Sequence, residues 1–146
     1  MADTQAQVIV QEAGTGKFTQ TITAGNHTLT ADEPVSVGGN DAGPSPYDFI
    51  LAGLGACTAM TVRMYANLKN IPLDKIVVAL SHSKKYEEDC LNCEKEQAKL
   101  DHIDRNITLL GNLTPEQKDK LMEIANKCPV HRTLTSRIII TTTLQN

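Results

Sequence analysis

Two cysteines are the residues of this 146-residue sequence with the clearest potential for chemistry. The first, Cys57, lies in a segment without charged residues, where helical spacing gives it apolar and small neighbours. A cysteine in such surroundings is often an inert part of the core. It becomes a nucleophile only where a cation stabilises its thiolate, because burial alone disfavours the charged form. The residues leave both interpretations open.

The second cysteine, Cys128, directly precedes Pro129. A residue before proline avoids the α conformation, so Cys128 is predicted to end the preceding helix. If Pro129 opens a new helical turn, Cys128 becomes its N-cap, and the backbone N–H groups there favour the thiolate. Arg132 can then add a cation one helical turn further on. The alternative is an ordinary helix boundary with a solvated basic pair.

The remaining cysteines, Cys90 and Cys93, have C-x-x-C spacing inside an acidic stretch, residues 83–101. Two thiolates with His82 or His102 could bind zinc, but a single C-x-x-C is a weak signal for a metal site. The neighbouring carboxylates disfavour thiolates, which is opposite to what a redox motif needs. We expect an exposed, mobile loop with no metal and no cofactor; zinc and a reversible disulfide stay open as alternatives.

The elements that must position the cysteines are predicted in the order βββ-α-ββ-α-β, an α+β fold with helices laid on antiparallel sheet. Alternating and β-branched residues predict the strands, and Ser45 and Thr114, each followed by proline, predict where the helices begin. The strands cover residues 7–11, 18–23, 27–30, 75–82, 102–110 and 137–144, and the helices cover residues 46–70 and 115–127. In strand 102–110 apolar and polar residues alternate, with Arg105 as the exception.

The first half of the predicted long helix, residues 49–60, has no charge on any face. A helix that is apolar all round must be buried all round. One sheet covers only one side of it, so the other side needs another helix or another subunit. We therefore expect a homodimer in which this helix is part of the interface.

Composition argues against several classes of function. Aromatic residues make up 3% of the chain and the net charge is −3, so neither base stacking nor a basic surface for nucleic acid is expected. The charge-free residues 49–62 are fewer than the roughly 20 that span a bilayer. No secretory signal pattern is visible at the N-terminus. We expect one domain over residues 1–146, located in the cytoplasm, without a membrane partner.

Two segments of the chain resemble motifs of the OsmC/Ohr family. The first is GNDAGPSPY, residues 39–47, which leads into LAGLGACTAM, residues 51–60. The second is ANKCPVHR, residues 125–132. The order and separation of these motifs, and the predicted order of elements, are similar to that family over nearly the whole chain.

The resemblance implies a fold with antiparallel sheets around the buried central helices of an intertwined homodimer. It also implies a thiol-dependent peroxidase, a cysteine-based antioxidant enzyme of stress responses that reduces organic hydroperoxides. Cys57 would be the peroxidatic thiolate and Cys128 the resolving thiol, with the resulting disulfide reduced by a dithiol. The hydroperoxide would bind against an apolar wall formed by Ile50, Leu54, Met60 and Met64.

The resemblance also implies that a cation activates the first cysteine. Members of the family activate the first cysteine with an arginine from the N-terminal strands, whereas the first arginine here is Arg63, on a different helix face from Cys57. Arg132 is therefore the predicted catalytic cation. The alternative function is a non-enzymatic OsmC-like protein that senses redox state or binds an apolar small molecule beside Cys57.

Overall fold

The computed structural model describes residues 7–86 and 99–145. The chain divides into two compact units, residues 1–50 and 51–146. The first is built on β-strands, and the second pairs a two-stranded sheet with helices. The predicted α+β class is confirmed, while the assignment of the whole chain to one domain stays a prediction.

The first unit contains a three-stranded antiparallel meander in the order β1-β2-β3. Its strands are β1 (Val8–Glu12), β2 (Gln20–Ala24) and β3 (His27–Ala31). Gly25 has a φ of 60°, so it adopts the left-handed conformation that the tight turn between β2 and β3 needs. The predicted meander is confirmed: β1 and β2 are displaced by one or two residues, and β3 begins at the predicted residue.

A buried carboxylate organises the loop that follows β3. Asp32 is 3% exposed and accepts four hydrogen bonds, from the hydroxyl of Thr19 (3.0 Å) and from the backbone N–H groups of Glu33 (2.8 Å), Asn40 (3.3 Å) and Ala42 (3.2 Å). Because Thr19 precedes β2 while the other three donors belong to the loop, the carboxylate fixes the path of the loop and ties it to the start of β2. The loop includes a short 3₁₀ turn at Val35–Val37.

The long helix α1 (Pro46–Leu68) begins as its sequence predicts. The Ser45 hydroxyl accepts the backbone N–H of Asp48 (3.3 Å), and the Asp48 carboxylate accepts the backbone N–H of Ser45 (3.0 Å), which is a reciprocal cap. The helix ends two residues before Asn70, whose φ of 54° breaks the helical conformation. Among the described helices, α1 is long and apolar enough to cross a membrane, a property shared by core helices of globular proteins.

The second unit pairs β4 (Leu73–Tyr86) with β5 (Lys99–Gly111) in antiparallel register. Both strands extend into the stretch predicted as an acidic loop, residues 83–101, since Ser83 pairs with His102 and Lys84 with Asp101. Helix α2 (Pro115–Ala125) has the predicted capping box at Thr114, and a short helix α3 (Pro129–Leu134) follows. The core of the unit is formed by Val62, Ala66, Leu73, Leu121, Ile124 and Ala125. The prediction for Cys90 and Cys93 lies outside the described residues.

The predicted final strand, residues 137–144, is wrong for this chain. The described residues 137–145 have no regular secondary structure, and Ile139 and Ile140 are 86% and 85% exposed. A strand exists only where another strand completes its hydrogen bonds, and neither sheet of the described chain pairs with this segment. The β-branched residues of this segment favour a strand, but neither sheet of the described chain provides a neighbouring strand for it.

Candidate redox site

Cys128 is the N-cap of α3, as its position before Pro129 predicts. Its Sγ accepts a hydrogen bond from the backbone N–H of His131 (3.2 Å), and the residue has no exposed surface. Burial raises the pKa of the Cys128 thiol, but the hydrogen bond from the His131 N–H, with smaller contributions from the neighbouring Cys57, Thr58 and Val130, lowers that pKa below its ordinary value. The buried sulfur is therefore set up to hold negative charge.

The structure brings the two predicted cysteines together. Cys57, on α1, is partly exposed and is near enough to Cys128 to contribute to the lowered pKa of the Cys128 thiol. Both are free cysteines. The geometric link between them is Thr58, which follows Cys57 on α1 and whose hydroxyl oxygen lies 3.9 Å from Cys128 Sγ.

Thr58, the buried residue that follows Cys57, connects the two cysteines to a hydrogen-bond network that contains Arg105. Arg105 donates to the Thr58 hydroxyl (3.0 Å) and to the side-chain oxygen of Asn126 (2.8 Å). The Thr58 hydroxyl contacts Cys128 Sγ at 3.9 Å, although its single proton is better placed on the Leu54 carbonyl oxygen at 2.7 Å. The guanidinium thus reaches the sulfur through one hydroxyl group.

The structure places Arg132 elsewhere. Its side chain is exposed, and its backbone N–H donates to the Cys128 carbonyl oxygen (3.1 Å). Sequence reasoning did not select Arg105 as a site residue, yet the signal was present. Arg105 shares the inner side of β5 with Ile103 and Ile107, where a charged side chain is out of place unless it has a buried partner.

A cavity of about 370 Å³ lies beside this network. It is lined by both charged and apolar residues: Leu54, Asp101, Ile103, Arg105, His131, Leu134 and Thr135. Burial, and then the charge of Arg105, lower the pKa of His131 below its ordinary value. The imidazole is therefore neutral at neutral pH, which leaves Arg105 as the cation of the cavity wall.

The residues predicted to form an apolar wall for a hydroperoxide lie at different places in the structure. Leu54 is buried and lines the cavity beside Arg105. Met60 and Met64 are 63% and 67% exposed, and Met64 instead lines a second, apolar groove with Leu68 and Ile124. Within residues 7–86 and 99–145, no group of three or more His, Cys, Asp or Glu side chains is arranged to hold a metal ion.

The family assignment follows from a match between residues 38–143 and the OsmC-like protein family, which covers more than half of the sequence. The chain belongs to the OsmC-like family. Both cysteines of the pair, and Arg105, lie within the matched residues.

Solved structures share the fold. An OsmC-like protein from Mycoplasma pneumoniae is 18% identical with a TM-score of 0.72, over 90% of this chain and 88% of that one. An organic hydroperoxide resistance protein OsmC from Legionella pneumophila is 17% identical with a TM-score of 0.67, over 92% of each chain. The organic hydroperoxide resistance protein OhrB of Bacillus subtilis is 18% identical with a TM-score of 0.61, over 89% and 90%. No curated protein sequence matches the chain.

Proposed function

We propose that this protein is a thiol-dependent peroxidase that reduces organic hydroperoxides with Cys57 and Cys128. The observation that carries the proposal is the nearness of two free cysteines, one partly exposed and one buried: the hydroxyl of Thr58, the residue after Cys57, lies 3.9 Å from Cys128 Sγ. Cys57, the accessible sulfur, attacks the distal oxygen of the hydroperoxide and becomes a sulfenic acid while the alcohol leaves. Cys128 then displaces water from the sulfenic acid to form the disulfide, which a dithiol reductant returns to two thiols.

The family and its solved structures support this reaction class. Proteins of Legionella pneumophila and Bacillus subtilis with this fold are described as organic hydroperoxide resistance proteins. The cavity beside the network has both an apolar wall at Leu54 and a cation at Arg105. Such a wall suits an alkyl peroxide, because burial of carbon contributes about 0.8 kcal/mol per CH₂ group.

The cation of the site is assigned to Arg105. Its guanidinium contacts Thr58, which in turn contacts Cys128 Sγ, whereas the Arg132 side chain is exposed. Hydrogen bonds from a charged donor are stronger than neutral ones, so Arg105 stabilises negative charge on the sulfur or on the departing oxygen. Arg132 stays the second candidate.

The functional unit is a homodimer in the cytosol. Helix α1 exposes Met60, Met64 and Leu68, and the C-terminal segment exposes Ile139 and Ile140. Apolar surface on this scale marks an interaction site. A second copy of the chain would cover this apolar surface. Both described cysteines are free, which suits a reducing compartment.

The test is intact mass spectrometry after one equivalent of cumene hydroperoxide. The wild type should lose two hydrogens as a disulfide forms, and peptide mapping should join Cys57 to Cys128. Cys57→Ser should abolish the reaction. Cys128→Ser should still consume one equivalent, stop at the sulfenic acid, and over-oxidise with excess peroxide.

Two outcomes would contradict the proposal. If Cys57→Ser keeps its reactivity while Cys128→Ser loses it, the cysteine roles are exchanged. If wild type and both variants react no faster than free cysteine, the enzymatic function fails and an apolar small-molecule-binding or redox-sensing protein is the better description. For the dimer, a stable folded monomer by light scattering at micromolar concentration would be the contrary result.

A further inference from the structure

Arg105 joins the two segments that carry the cysteines. One terminal nitrogen of its guanidinium donates to the hydroxyl of Thr58 (3.0 Å), the residue that follows Cys57 on α1. The other terminal nitrogen donates to the side-chain oxygen of Asn126 (2.8 Å), which lies two residues before Cys128. One side chain of β5 therefore bridges both cysteine-bearing segments.

The Asn126 end of this bridge is rigidly connected to Cys128. Asn126 is the C-cap of α2 and Cys128 is the N-cap of α3. Backbone hydrogen bonds close the turn between them, from the Lys127 N–H to the Ile124 carbonyl oxygen (2.9 Å) and from the Cys128 N–H to the Ala125 carbonyl oxygen (3.4 Å). A contact that holds Asn126 in place therefore also holds Cys128.

The Thr58 end is equally well fixed. Thr58 is fully buried, and its hydroxyl donates to the Leu54 carbonyl oxygen one turn earlier on α1 (2.7 Å), so its oxygen accepts from Arg105. The same oxygen lies 3.9 Å from Cys128 Sγ. The bridge therefore crosses the point where α1 meets the buried sulfur.

The spacing of the two partners depends on the shape of the guanidinium. Its nitrogens lie in one plane and their N–H groups form a fixed fork, so Arg105 holds its two acceptors at a set separation. A lysine has the same charge on a single nitrogen at the end of a flexible stem. The bridge therefore depends on arginine itself and not only on a positive charge.

We infer that the bridge from Thr58 through Arg105 to Asn126 holds Cys128 at the spacing from Cys57 that disulfide formation requires. Asn126 is then a positioning residue, because it acts through Arg105. This inference rests on the peroxidase function proposed above and concerns its second step. In that step the Cys128 sulfur attacks the sulfenic acid of Cys57, so that the S–S bond forms, the S–O bond breaks and the oxygen leaves as water with the thiol proton.

The two steps of the reaction should depend on Arg105 in different ways. The peroxide step needs charge near the reacting atoms, which the guanidinium supplies. The disulfide step needs two sulfurs within a narrow range of distances and angles. Reactions between positioned groups are sensitive to placement, and a displacement of about 1 Å costs about a hundredfold in rate. Loss of the bridge should therefore slow the disulfide step more than the peroxide step.

The experiment separates the two steps with dimedone, which traps the sulfenic acid of Cys57 before Cys128 attacks it. Reduced protein receives one equivalent of cumene hydroperoxide at a fixed dimedone concentration, and mass spectrometry with peptide mapping measures the ratio of Cys57–Cys128 disulfide to adduct. Asn126→Ala should lower this ratio by about tenfold, the loss expected for one charge-assisted hydrogen bond. Asn126→Asp keeps the acceptor oxygen and should recover most of the ratio.

Asn106→Ala is the matched control. Asn106 is an exposed asparagine next to Arg105 on β5, and alternation along the strand places its side chain on the opposite face, so the wild-type ratio should be kept. Arg105→Lys keeps the charge without the fork and should lower the ratio about as much as Asn126→Ala. Adding Asn126→Ala to Arg105→Lys should change little, because both substitutions remove the same contact.

The outcomes separate this inference from the proposed function. If Asn126→Ala and Arg105→Lys form the disulfide as readily as Asn106→Ala, the inference is wrong, although the peroxidase function stands. If Arg105→Lys does not fold, Asn126→Ala and Asn126→Asp decide the question, since Asn126 is exposed.

A peroxide-independent oxidant tests the bridge even where the proposed function fails. If the wild type does not consume cumene hydroperoxide, the function is wrong, and diamide then replaces the peroxide, since it oxidises two neighbouring thiols to a disulfide while it is reduced to the hydrazine. Slower joining of Cys57 to Cys128 in Asn126→Ala than in Asn106→Ala would support the bridge. Equal rates in these two variants would overturn the inference.

Discussion

Asp32 in the first unit and Cys128 in the second are both buried acceptors held by backbone N–H groups. The Asp32 carboxylate accepts three backbone N–H groups and one hydroxyl, and it joins distant points of a loop. Cys128 Sγ accepts the N–H of His131, and the Thr58 hydroxyl lies 3.9 Å from it. For both groups burial raises the pKa and hydrogen bonds lower it below the ordinary value.

The difference lies in the chemistry of the acceptor. A carboxylate is a weak nucleophile and is not oxidised by peroxides, so the charge on Asp32 has a structural role. A cysteine sulfur is nucleophilic as its thiolate and can be oxidised, so hydrogen bonds that favour the thiolate of Cys128 favour the reactive form. The same device, a buried anion among donors, thus fixes a loop in one unit and prepares chemistry in the other.

The largest expected effect is the loss of stability in Asp32→Ala. The substitution leaves the backbone N–H groups of Glu33, Asn40 and Ala42 without their acceptor, and an unpaired buried donor is costly. Thermal unfolding should show a lower Tm for Asp32→Ala than for Asp32→Asn, which keeps one acceptor oxygen. The thiolate titration of Cys128 should be unchanged in both.

The same site predicts a pH dependence. Because the native pKa of Asp32 lies below its ordinary value, its contribution to stability is complete above about pH 4 and is lost as pH falls through the native pKa. Acid should therefore reduce the difference in Tm between wild type and Asp32→Asn. A difference that grows in acid would contradict the structural role of the carboxylate.

The second effect concerns the cation of the redox pair. Arg105→Gln should slow the peroxide reaction by about tenfold, because loss of one charge-assisted contact is worth roughly 1.5–3 kcal/mol and Arg105 acts through an intervening hydroxyl. Arg105→Lys keeps the charge and should lose less. A larger loss in Arg132→Gln than in Arg105→Gln would restore Arg132 as the cation.

The sequence predicts the local parts of this structure well. Helix starts at Ser45 and Thr114, the meander and the N-cap at Cys128 all depend on neighbouring residues, and all are found. The final strand was wrong because a strand also depends on a partner that residues 137–144 do not contain. Local chemistry determines caps and turns, whereas pairing is a property of the whole assembly.

In the candidate site, too, the features that depend on neighbouring residues were predicted, and a contact between distant residues was not. The two cysteines were identified from their motifs, and the structure brings them together. The choice of Arg132 used proximity along the chain, while Arg105 reaches Thr58 from a different strand. The break in the alternation of β5 at Arg105 marked an inward charge, but only the fold shows that this charge lies beside Thr58.

A smaller effect is expected on stability as a function of pH in the reduced protein. The native pKa of Cys128 lies below its ordinary value, so its thiolate adds no stability in acid and adds more as pH rises through the native pKa. The gain is complete above about pH 8.5, where the unfolded thiol also ionises. Urea unfolding at several pH values should show this rise in wild type and not in Cys128→Ser; a rise in both would place the charge elsewhere.

The smallest effect is expected for Cys90→Ser/Cys93→Ser, the pair in the acidic stretch. Two things distinguish these cysteines from the redox pair in the sequence: carboxylates flank them, and no arginine occurs among residues 83–101. The double variant should change the free energy of unfolding by no more than about 0.5 kcal/mol, which is typical of surface substitutions. It should also leave the thiolate titration of Cys128 and the rate of peroxide consumption unchanged. Stoichiometric zinc in the purified protein, lost together with stability in the double variant, would instead identify a second and separate cysteine site.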